Sequence, residues 1–387
     1  MNRHLHSNTS ASGKKSKKSY GSIFLILSTF SLCATVVLVL MKTTSFVGPF
    51  VIAIPASLAL YVRGHRILSA TSFSLWMCAF VAAPMFYPAF FLQWGSVDLR
   101  QFVIPFIMFI MFCMGTTLSF DDFKRIFTMP QAVLIGVFLQ FFIMPFVGKA
   151  VAMAFTSNSE VAAGIVITGS SPGGVASNVI CFLAKGNVAL SVTMTAFSTL
   201  IAPIMTPTMT KLLAGAYIPV DFWVMMRSII KMVIIPIGFG LIVHSFLEKM
   251  GKVHPIYSRI YDIIMVALPK LSMFVIAFAC AIMTANARDK LLVGTIVISV
   301  VISVIFHNFF GLVLGYWSAR LAGLKEKECR TIAIEVGLQN SGMAAGLALT
   351  VLKSALASIP GVVHSSWHNI TGALLASWWA NRPPEDK

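Results

Sequence analysis

Residues 331–348 read TIAIEVGLQNSGMAAGLA, and they place Glu335 in the middle of an apolar run long enough to cross a bilayer. Every other acidic residue of the chain lies in a loop, at the end of an apolar run or in a tail. The basic residues nearest to its depth, Arg227, Lys231 and Lys270, lie near the ends of their own runs. A carboxylate inside a membrane is costly unless it is paired, and it marks a functional site. The run therefore predicts a carboxylate that binds a cation from solution.

A second interrupted run lies at 170–200, SSPGGVASNVICFLAKGNVALSVTMTAFSTL. Proline removes a backbone donor and clashes with the preceding turn, while glycine contributes no side chain. A helix is therefore predicted to break here and to restart near Val175, where free N–H groups and the positive end of the helix dipole suit an anion. A simple kink is the alternative, and the polar Ser177 and Asn178 that follow argue against it. The residues of the predicted break are Pro172, Gly173 and Gly174.

The composition excludes a soluble or a disordered protein. Of the 387 residues 57% are hydrophobic and 11% are charged, against about 25% charged in soluble domains, and the mean hydropathy is +0.86. At about 20 apolar residues per span, the chain can hold on the order of ten transmembrane helices. The net charge of +16 comes from basic residues at the ends of apolar runs, which indicates membrane topology rather than nucleic-acid binding. The six cysteines are scattered singly and are interpreted as packing residues.

Ten apolar runs follow residue 70 and divide into two sets of five, 73–214 and 222–380. An odd number of spans per set gives the two sets opposite orientations, and the interrupted run is the fourth in each. Matching broken helices in an inverted repeat are typical of transporters with a binding site near the membrane midplane. The predicted fold class is an all-α integral membrane protein. The runs lie at about 73–92, 102–119, 131–155, 161–185, 188–214, 222–246, 262–285, 291–319, 330–352 and 360–380.

Two further apolar runs precede the ten and predict an additional transmembrane hairpin at 21–66. It follows a basic tail at 1–20, and a ten-helix unit at 67–381 and a short tail at 382–387 come after it. A signal peptide is the alternative for the first run, but that run is long enough to span the membrane. The positions of the basic loops predict that both termini are cytoplasmic.

Oxygen-bearing side chains at a depth comparable to that of Glu335 suggest which cation binds. Ser191 and Thr195 are four residues apart and share one helical face, and Glu335 and Gln339 have the same spacing. One carboxylate among neutral oxygens suits a monovalent ion better than calcium, which favours Na⁺. The alternative is that each hydroxyl bonds to its own helix. The neutral oxygen donors are Gln140, Ser177, Asn178, Ser191, Thr195, Gln339 and Asn340.

With these motifs the chain resembles the bile acid:sodium symporter family, in particular its bacterial ten-helix branch, over about residues 70–380. FSLW at 73, KMVIIPIGFGLIVH at 231 and HSSWHNITGALLA at 364 add to the two long motifs quoted above. The resemblance implies a panel domain, helices one, two, six and seven of the ten, that rocks against a core domain of the other six. The two broken helices cross within that core beside the substrate site.

The resemblance also implies ligands for two Na⁺ ions and for the substrate. The first ion site would use Ser177, Asn178, Ser191, Thr195 and Glu335. The second would use Gln140, Glu335, Gln339 and the backbone carbonyls of Val336 and Leu338. The substrate would contact Gly174, Val175, Asn340 and His368. Val175 is a departure, because relatives often have threonine there, and the hairpin at 21–66 is an addition to the usual ten helices.

The expected function is therefore Na⁺-coupled symport of an organic monoanion, a bile acid or a smaller carboxylate such as a pantoate-like or keto acid. We expect two coupling Na⁺ ions, no organic cofactor, no nucleic-acid or obligatory protein partner, and a place in a bacterial inner membrane. A proton-coupled or uncoupled carrier of the same fold is the first alternative. An intramembrane enzyme using Glu335 with His307 or His368 as acid and base, or a receptor, would be a different class. Each histidine alone is more typically an interhelical hydrogen-bond partner.

Overall fold

The computed structural model describes residues 8–41, 46–65, 68–252, 255–382 and 384. Residues 1–7 of the predicted basic tail, and most of the predicted tail at 382–387, lie outside the described residues. The first helix begins at Asn8, so it includes most of the segment that was expected to be a tail.

The described residues are overwhelmingly helical, which confirms the all-α prediction. A short hairpin of strands, β1 (Gln93–Trp94) and β2 (Val97–Asp98), joins the fourth and fifth helices. A π-helical segment at Ile230–Ile234 joins the helices Phe222–Ile229 and Ile235–Gly251. The helices are α1 (Asn8–Leu40), α2 (Val47–Val62), α3 (Ser72–Phe86), α4 (Ala89–Leu92), α5 (Val103–Gly115), α6 (Phe120–Lys124), α7 (Pro130–Phe155), α8 (Ser159–Gly169), α9 (Ala176–Leu183), α10 (Val188–Ala214), α11 (Phe222–Ile229), α12 (Ile235–Gly251), α13 (Pro255–Leu291), α14 (Ile296–Leu321), α15 (Glu326–Gly337), α16 (Ser341–Thr350) and α17 (Ala355–Ala380).

Within the described residues six helices are long and apolar enough to cross a membrane, which makes this a multi-pass membrane protein. Two consecutive helical segments, Leu99–Gly115 and Phe120–Phe127, form a seventh span when they are taken together, with a bend of 75° between their axes. Several other predicted spans are divided into short halves, such as the 11 residues of α8 and the 10 of α16. The six helices are Ile23–Leu40, Pro130–Phe155, Val188–Ala214, Phe222–Gly251, Ile256–Leu291 and Ile296–Leu321.

Both predicted helix breaks are present, and they cross each other. The first separates α8 from α9 and the second separates α15 from α16, and Gly173 and Gln339 form an antiparallel β-bridge at the crossing. Gly174 N donates to Leu338 O at 2.9 Å, and Asn340 N donates to the carbonyl of Pro172 at 2.8 Å. Backbone groups freed inside a membrane must find partners within the protein. Here each break supplies the partners for the other.

The helices pack in two groups. The four-helix group comprises α3, α5, α12 and α13, in which α13 contacts the other three and α5 contacts α12. The crossing group comprises α7–α10 and α14–α17, and its last helix, α17, also contacts α3 and α13. A methionine-rich apolar core fills the boundary between the groups, with Ile107 and Met111 of α5 and Met283 of α13 on one side and Met343 of α16 on the other. The broken helices therefore meet the four-helix group across apolar side chains.

The additional hairpin lies against the four-helix group. Its second helix, α2, packs on α3. Ser72 Oγ donates to Ala59 O at 2.9 Å, and a Cβ on Gly48 would lie 2.9 Å from side-chain atoms of Phe86. The close approach of α2 and α3 therefore depends on glycine at position 48.

Candidate ion and substrate site

Glu335 lies at the crossing, in the last turn of α15, and only 1% of its surface is exposed. The Ser177 and Ser191 hydroxyls donate to Oε1, and the Thr195 hydroxyl donates to Oε2 at 2.9 Å. Among the described residues no cationic side chain forms an ion pair with this carboxylate. The negative charge is therefore held by neutral hydroxyls from α9 and α10, and it remains available to a cation.

The predicted first ion site is brought together by two helices that begin beside α15. Asn187 caps α10, its Oδ1 accepting from Leu190 N at 3.1 Å, and Ser191 and Thr195 then face Glu335 from successive turns, as their spacing predicts. Asn178 Oδ1 accepts from Ser191 Oγ at 2.8 Å. All the predicted residues of this site are therefore in one hydrogen-bonded cluster, and their role as Na⁺ ligands stays a prediction.

The predicted second ion site forms an adjoining polar chain. Gln140 Nε2 donates to Ser171 O at 2.9 Å and to Gln339 Oε1 at 2.7 Å, and Gln339 Nε2 donates to Val336 O at 2.6 Å. The carbonyl of Leu338 already accepts from Gly174 N. Gln140 Oε1 is buried and accepts no hydrogen bond from the described residues. One oxygen of this chain is therefore left for a ligand.

The expectation that Glu335 and Gln339 share one helical face is wrong. α15 ends at Gly337, and Leu338 has extended backbone angles, φ −105° and ψ 100°. Gln339 therefore belongs to the extended segment that crosses the first break rather than to the helix. It reaches Gln140, while Glu335 faces the hydroxyls of the first site.

The predicted substrate contacts divide between two places. Asn340 caps α16 through Met343 N at 3.2 Å, and its Nδ2 lies 3.7 Å from Met111 Sδ of the four-helix group. Val175 packs against the same apolar core. His368 is buried in α17, where its ring is hydrogen-bonded to a second imidazole. Val175 and Asn340 therefore lie at the boundary between the two groups, and His368 lies behind them.

Sequence reasoning missed His364, which connects His368 to the crossing. His364 Nδ1 lies 2.9 Å from His368 Nδ1 and 3.1 Å from Ser341 Oγ, at the start of α16. The spacing of four residues in HSSWH at 364–368 was the available signal, because it puts both rings on one face. His307 Nε2 lies 3.0 Å from Met144 O, as expected of an interhelical hydrogen-bond partner.

Broken helices that cross at a buried carboxylate, within a bundle of membrane-spanning helices, define the class of secondary transporters. The family model described as the Sodium Bile acid symporter family matches residues 104–294. The chain is 38% identical over 324 residues to the "Uncharacterized sodium-dependent transporter YocS" of Bacillus subtilis (strain 168), over 83% of this chain and 94% of that protein.

Plant proteins are similar as well. A "Probable sodium/metabolite cotransporter BASS1, chloroplastic" of Oryza sativa subsp. japonica is 34% identical over 81% of this chain and 74% of its own. The Arabidopsis thaliana protein of the same description is 33% identical over 82% and 75%. The chain therefore belongs to the sodium bile acid symporter family, as the sequence motifs predicted. The family and these relatives are transporters rather than enzymes.

Proposed function

We propose that the protein is a symporter that couples Na⁺ to the uptake of an organic monoanion by alternating access. The observation that carries the proposal is the Glu335 carboxylate, which is buried at the crossing, surrounded by hydroxyls and without an ion-pair partner among the described residues. An unneutralised charge at this depth is costly. Binding of a cation removes that cost and joins α9, α10 and α15 at one point.

The donor set fits Na⁺. The carboxylate, the hydroxyls and the Asn178 amide are hard oxygen ligands, and a single negative charge balances a single positive one. The unpartnered Gln140 Oε1 supports a second ion beside Gln339. Two Na⁺ with one monoanion carry one net positive charge, so a membrane potential of 100 mV contributes about 2.3 kcal/mol to uptake.

The proposed movement is a displacement of the crossing group against the four-helix group. The five-plus-five inverted repeat, 73–214 and 222–380, would give the two membrane faces equivalent roles in this movement. The proposed location is a bacterial inner membrane, with both termini on the cytoplasmic side. The apolar, methionine-rich boundary supports this proposal because flexible apolar contacts can repack. A boundary held by buried charges would resist sliding.

The proposed substrate site lies where Val175 and Asn340 meet that boundary. No side chain caps α9. Ser177 N and Asn178 N already donate to the carbonyls of Gly174 and Val175, so the N–H groups of Val175 and Ala176 are the ones proposed to receive an anion. A side-chain amide at position 340 and an apolar residue at 175 suit a carboxylate attached to an apolar body. The candidates are a bile acid and smaller pantoate-like or keto acids.

The test is a thermal-shift measurement of the purified protein with cholate, pantoate and pyruvate, each in NaCl and in KCl. A ligand that binds the folded state raises its apparent stability. We expect one class of anion to raise the melting temperature in NaCl only. Equal stabilisation in both salts would instead favour the proton-coupled or uncoupled carrier, and no stabilisation by any anion would contradict transport of these carboxylates.

A valine at position 195 is expected to weaken Na⁺ binding. Thr195→Val keeps the shape of the side chain but removes the hydroxyl that bonds to Glu335. The same hydroxyl is a proposed ligand of the first Na⁺, and loss of one group that holds a metal site typically costs about tenfold or more in affinity, so the half-saturating Na⁺ concentration should rise by about that factor. The measurement is Na⁺-dependent thermal stabilisation or uptake over a range of NaCl concentrations.

Thr199→Val is the matched control. Thr199 is equally buried and lies one turn further along α10, but its hydroxyl bonds to Thr195 O of its own helix. It should leave the Na⁺ dependence unchanged. The same rise in both variants would mean that position 195 acts through the packing of α10 rather than through the ion.

A further inference from the structure

A carboxylate outside the ion sites joins three elements at one face of the membrane. Glu160, in the first turn of α8, accepts a hydrogen bond from the hydroxyl of Ser354, the residue that caps α17. It also accepts from Lys290 Nζ of α13, at 3.0 Å to Oε1 and 3.2 Å to Oε2. We call these three residues the Glu160 clamp. It connects the start of the first broken helix with the end of the second, and both with the four-helix group.

The opposite face has a related arrangement around Arg330 of α15. Arg330 is 4% exposed, and it donates to Glu326 Oε1 at 2.8 Å, to Ala184 O at 3.2 Å and to the carbonyls of Trp379 and Arg382. The start of the second broken helix is thus bound to the end of the first. All of these partners belong to the crossing group or follow its last helix. The Arg330 contacts therefore stiffen that group without attaching it to the other.

The Glu160–Lys290 pair differs from the other ion pairs of the described residues. Those pairs join residues one to four positions apart in the chain, whereas Glu160 and Lys290 are 130 positions apart. The two side chains are 33% and 58% exposed. Half-exposed pairs contribute little to stability. A weak pair of this kind can be broken and remade in each transport cycle at little cost, whereas breaking a buried pair is strongly destabilising.

We propose that the Glu160–Lys290 pair is a switchable contact at this face that breaks when the face opens. It adds to the apolar packing that already joins α13 to the crossing group here, where Leu291 lies in one buried cluster with Val161 of α8 and Leu356 of α17. Glu160 and Lys290 are positioning residues, since neither touches the ion sites. The Ser354 contact lies within the crossing group and persists in both states. This inference rests on the proposed alternating-access function.

The test measures the distance across this face with spin labels. Ser157→Cys, before α8, and Val293→Cys, after α13, are both exposed and provide the labelling sites, in a background in which Cys33 and Cys78 are replaced by serine. Lys290→Gln removes the cation of the clamp. The population with the longer distance is expected to rise about two- to fivefold, the shift that an exposed ion pair can supply.

Arg288→Gln is the matched control. Arg288 lies at the same end of α13, but its Nε donates to Met85 O of α3, within the four-helix group. It removes the same charge and should leave the distances unchanged. Glu160→Gln should reproduce the effect of Lys290→Gln, and the double variant should show no further shift, because both single changes remove one interaction.

Three results separate the possible failures. Equal shifts of the distance distribution in the Lys290→Gln and Arg288→Gln variants would contradict the proposed switchable contact, since the loss of a positive charge alone would explain them. Distances that respond to NaCl but not to Lys290→Gln would contradict the proposed switchable contact and would leave the proposed function intact. A single distance in every variant and in both NaCl and KCl would contradict alternating access itself.

Discussion

Glu335→Gln is expected to abolish Na⁺-stimulated uptake while leaving the protein folded. Glutamine has nearly the same shape, and its Oε1 can still accept from the hydroxyls that now meet the carboxylate. The negative charge that balances the ion is lost, however. In a membrane interior a unit charge is worth several kcal/mol, so Na⁺ affinity should fall by about a hundredfold or more. Uptake at physiological NaCl should then be no greater than uptake in KCl.

The measurement is uptake into proteoliposomes with an imposed Na⁺ gradient, together with the melting temperature in NaCl and in KCl. Glu328→Gln is the control in the same helix. Glu328 caps the first turn of α15 by accepting from Lys325 N at 3.0 Å, and glutamine can make the same contact. Uptake that kept its Na⁺ dependence in the Glu335→Gln variant would remove Glu335 from the ion site.

The Glu335→Gln variant is also expected to differ from the unchanged protein in thermal stability, and the difference should depend on Na⁺. Replacing a buried, unpaired carboxylate by a neutral amide removes a desolvation cost. The variant should therefore be at least as stable in KCl as the unchanged protein. The difference between the two proteins should appear in NaCl, where only the carboxylate gains stability from the ion.

Local sequence rules were sufficient for much of the fold and for part of the site. Proline followed by two glycines predicted the break after α8, and the spacing of Ser191 and Thr195 predicted that both face one partner. These inferences depend only on the geometry of a single helix. The cost of burying the Glu335 carboxylate predicted that neutral oxygen-bearing side chains lie beside it, because a lone acid in an apolar run has to be near polar groups.

The rule that residues four apart share one helical face failed for Glu335 and Gln339, because the helix ends between them. The spacing of Glu335 and Gln339 predicts a common face only if the helix continues, and α15 stops at Gly337. The glycine at 337 and the polar residues after it were insufficient to place that end within a residue. His364 was missed for a different reason, since its partner at the crossing, Ser341, is 23 positions away in the chain. Pairings between separate helices depend on tertiary packing, and single-helix periodicity does not encode them.

Gly173→Ala is expected to impair the ion site through the backbone rather than through a ligand. A Cβ at this position would lie 2.6 Å from Glu335 Oε2, closer than any ordinary contact. Either the carboxylate moves away from Thr195 or the two breaks move apart, and both changes disturb the hydrogen bonds of the crossing. Overpacking of this kind costs about 1–3 kcal/mol. Na⁺ affinity should fall at least tenfold, and the melting temperature should fall as well.

Gly238→Ala tests whether these losses come from the crossing or from any glycine in a membrane helix. Gly238 lies in α12, and a Cβ there would meet nothing within 4 Å. Alanine should be neutral or slightly stabilising at that position, because it lowers the entropy of the unfolded chain. If Gly173→Ala behaved like Gly238→Ala in Na⁺ affinity and in melting temperature, the close contact between the crossing backbone and Glu335 would not be required for ion binding. A loss confined to Gly173→Ala would mean that glycine is needed there so that one broken helix can approach the charge carried by the other.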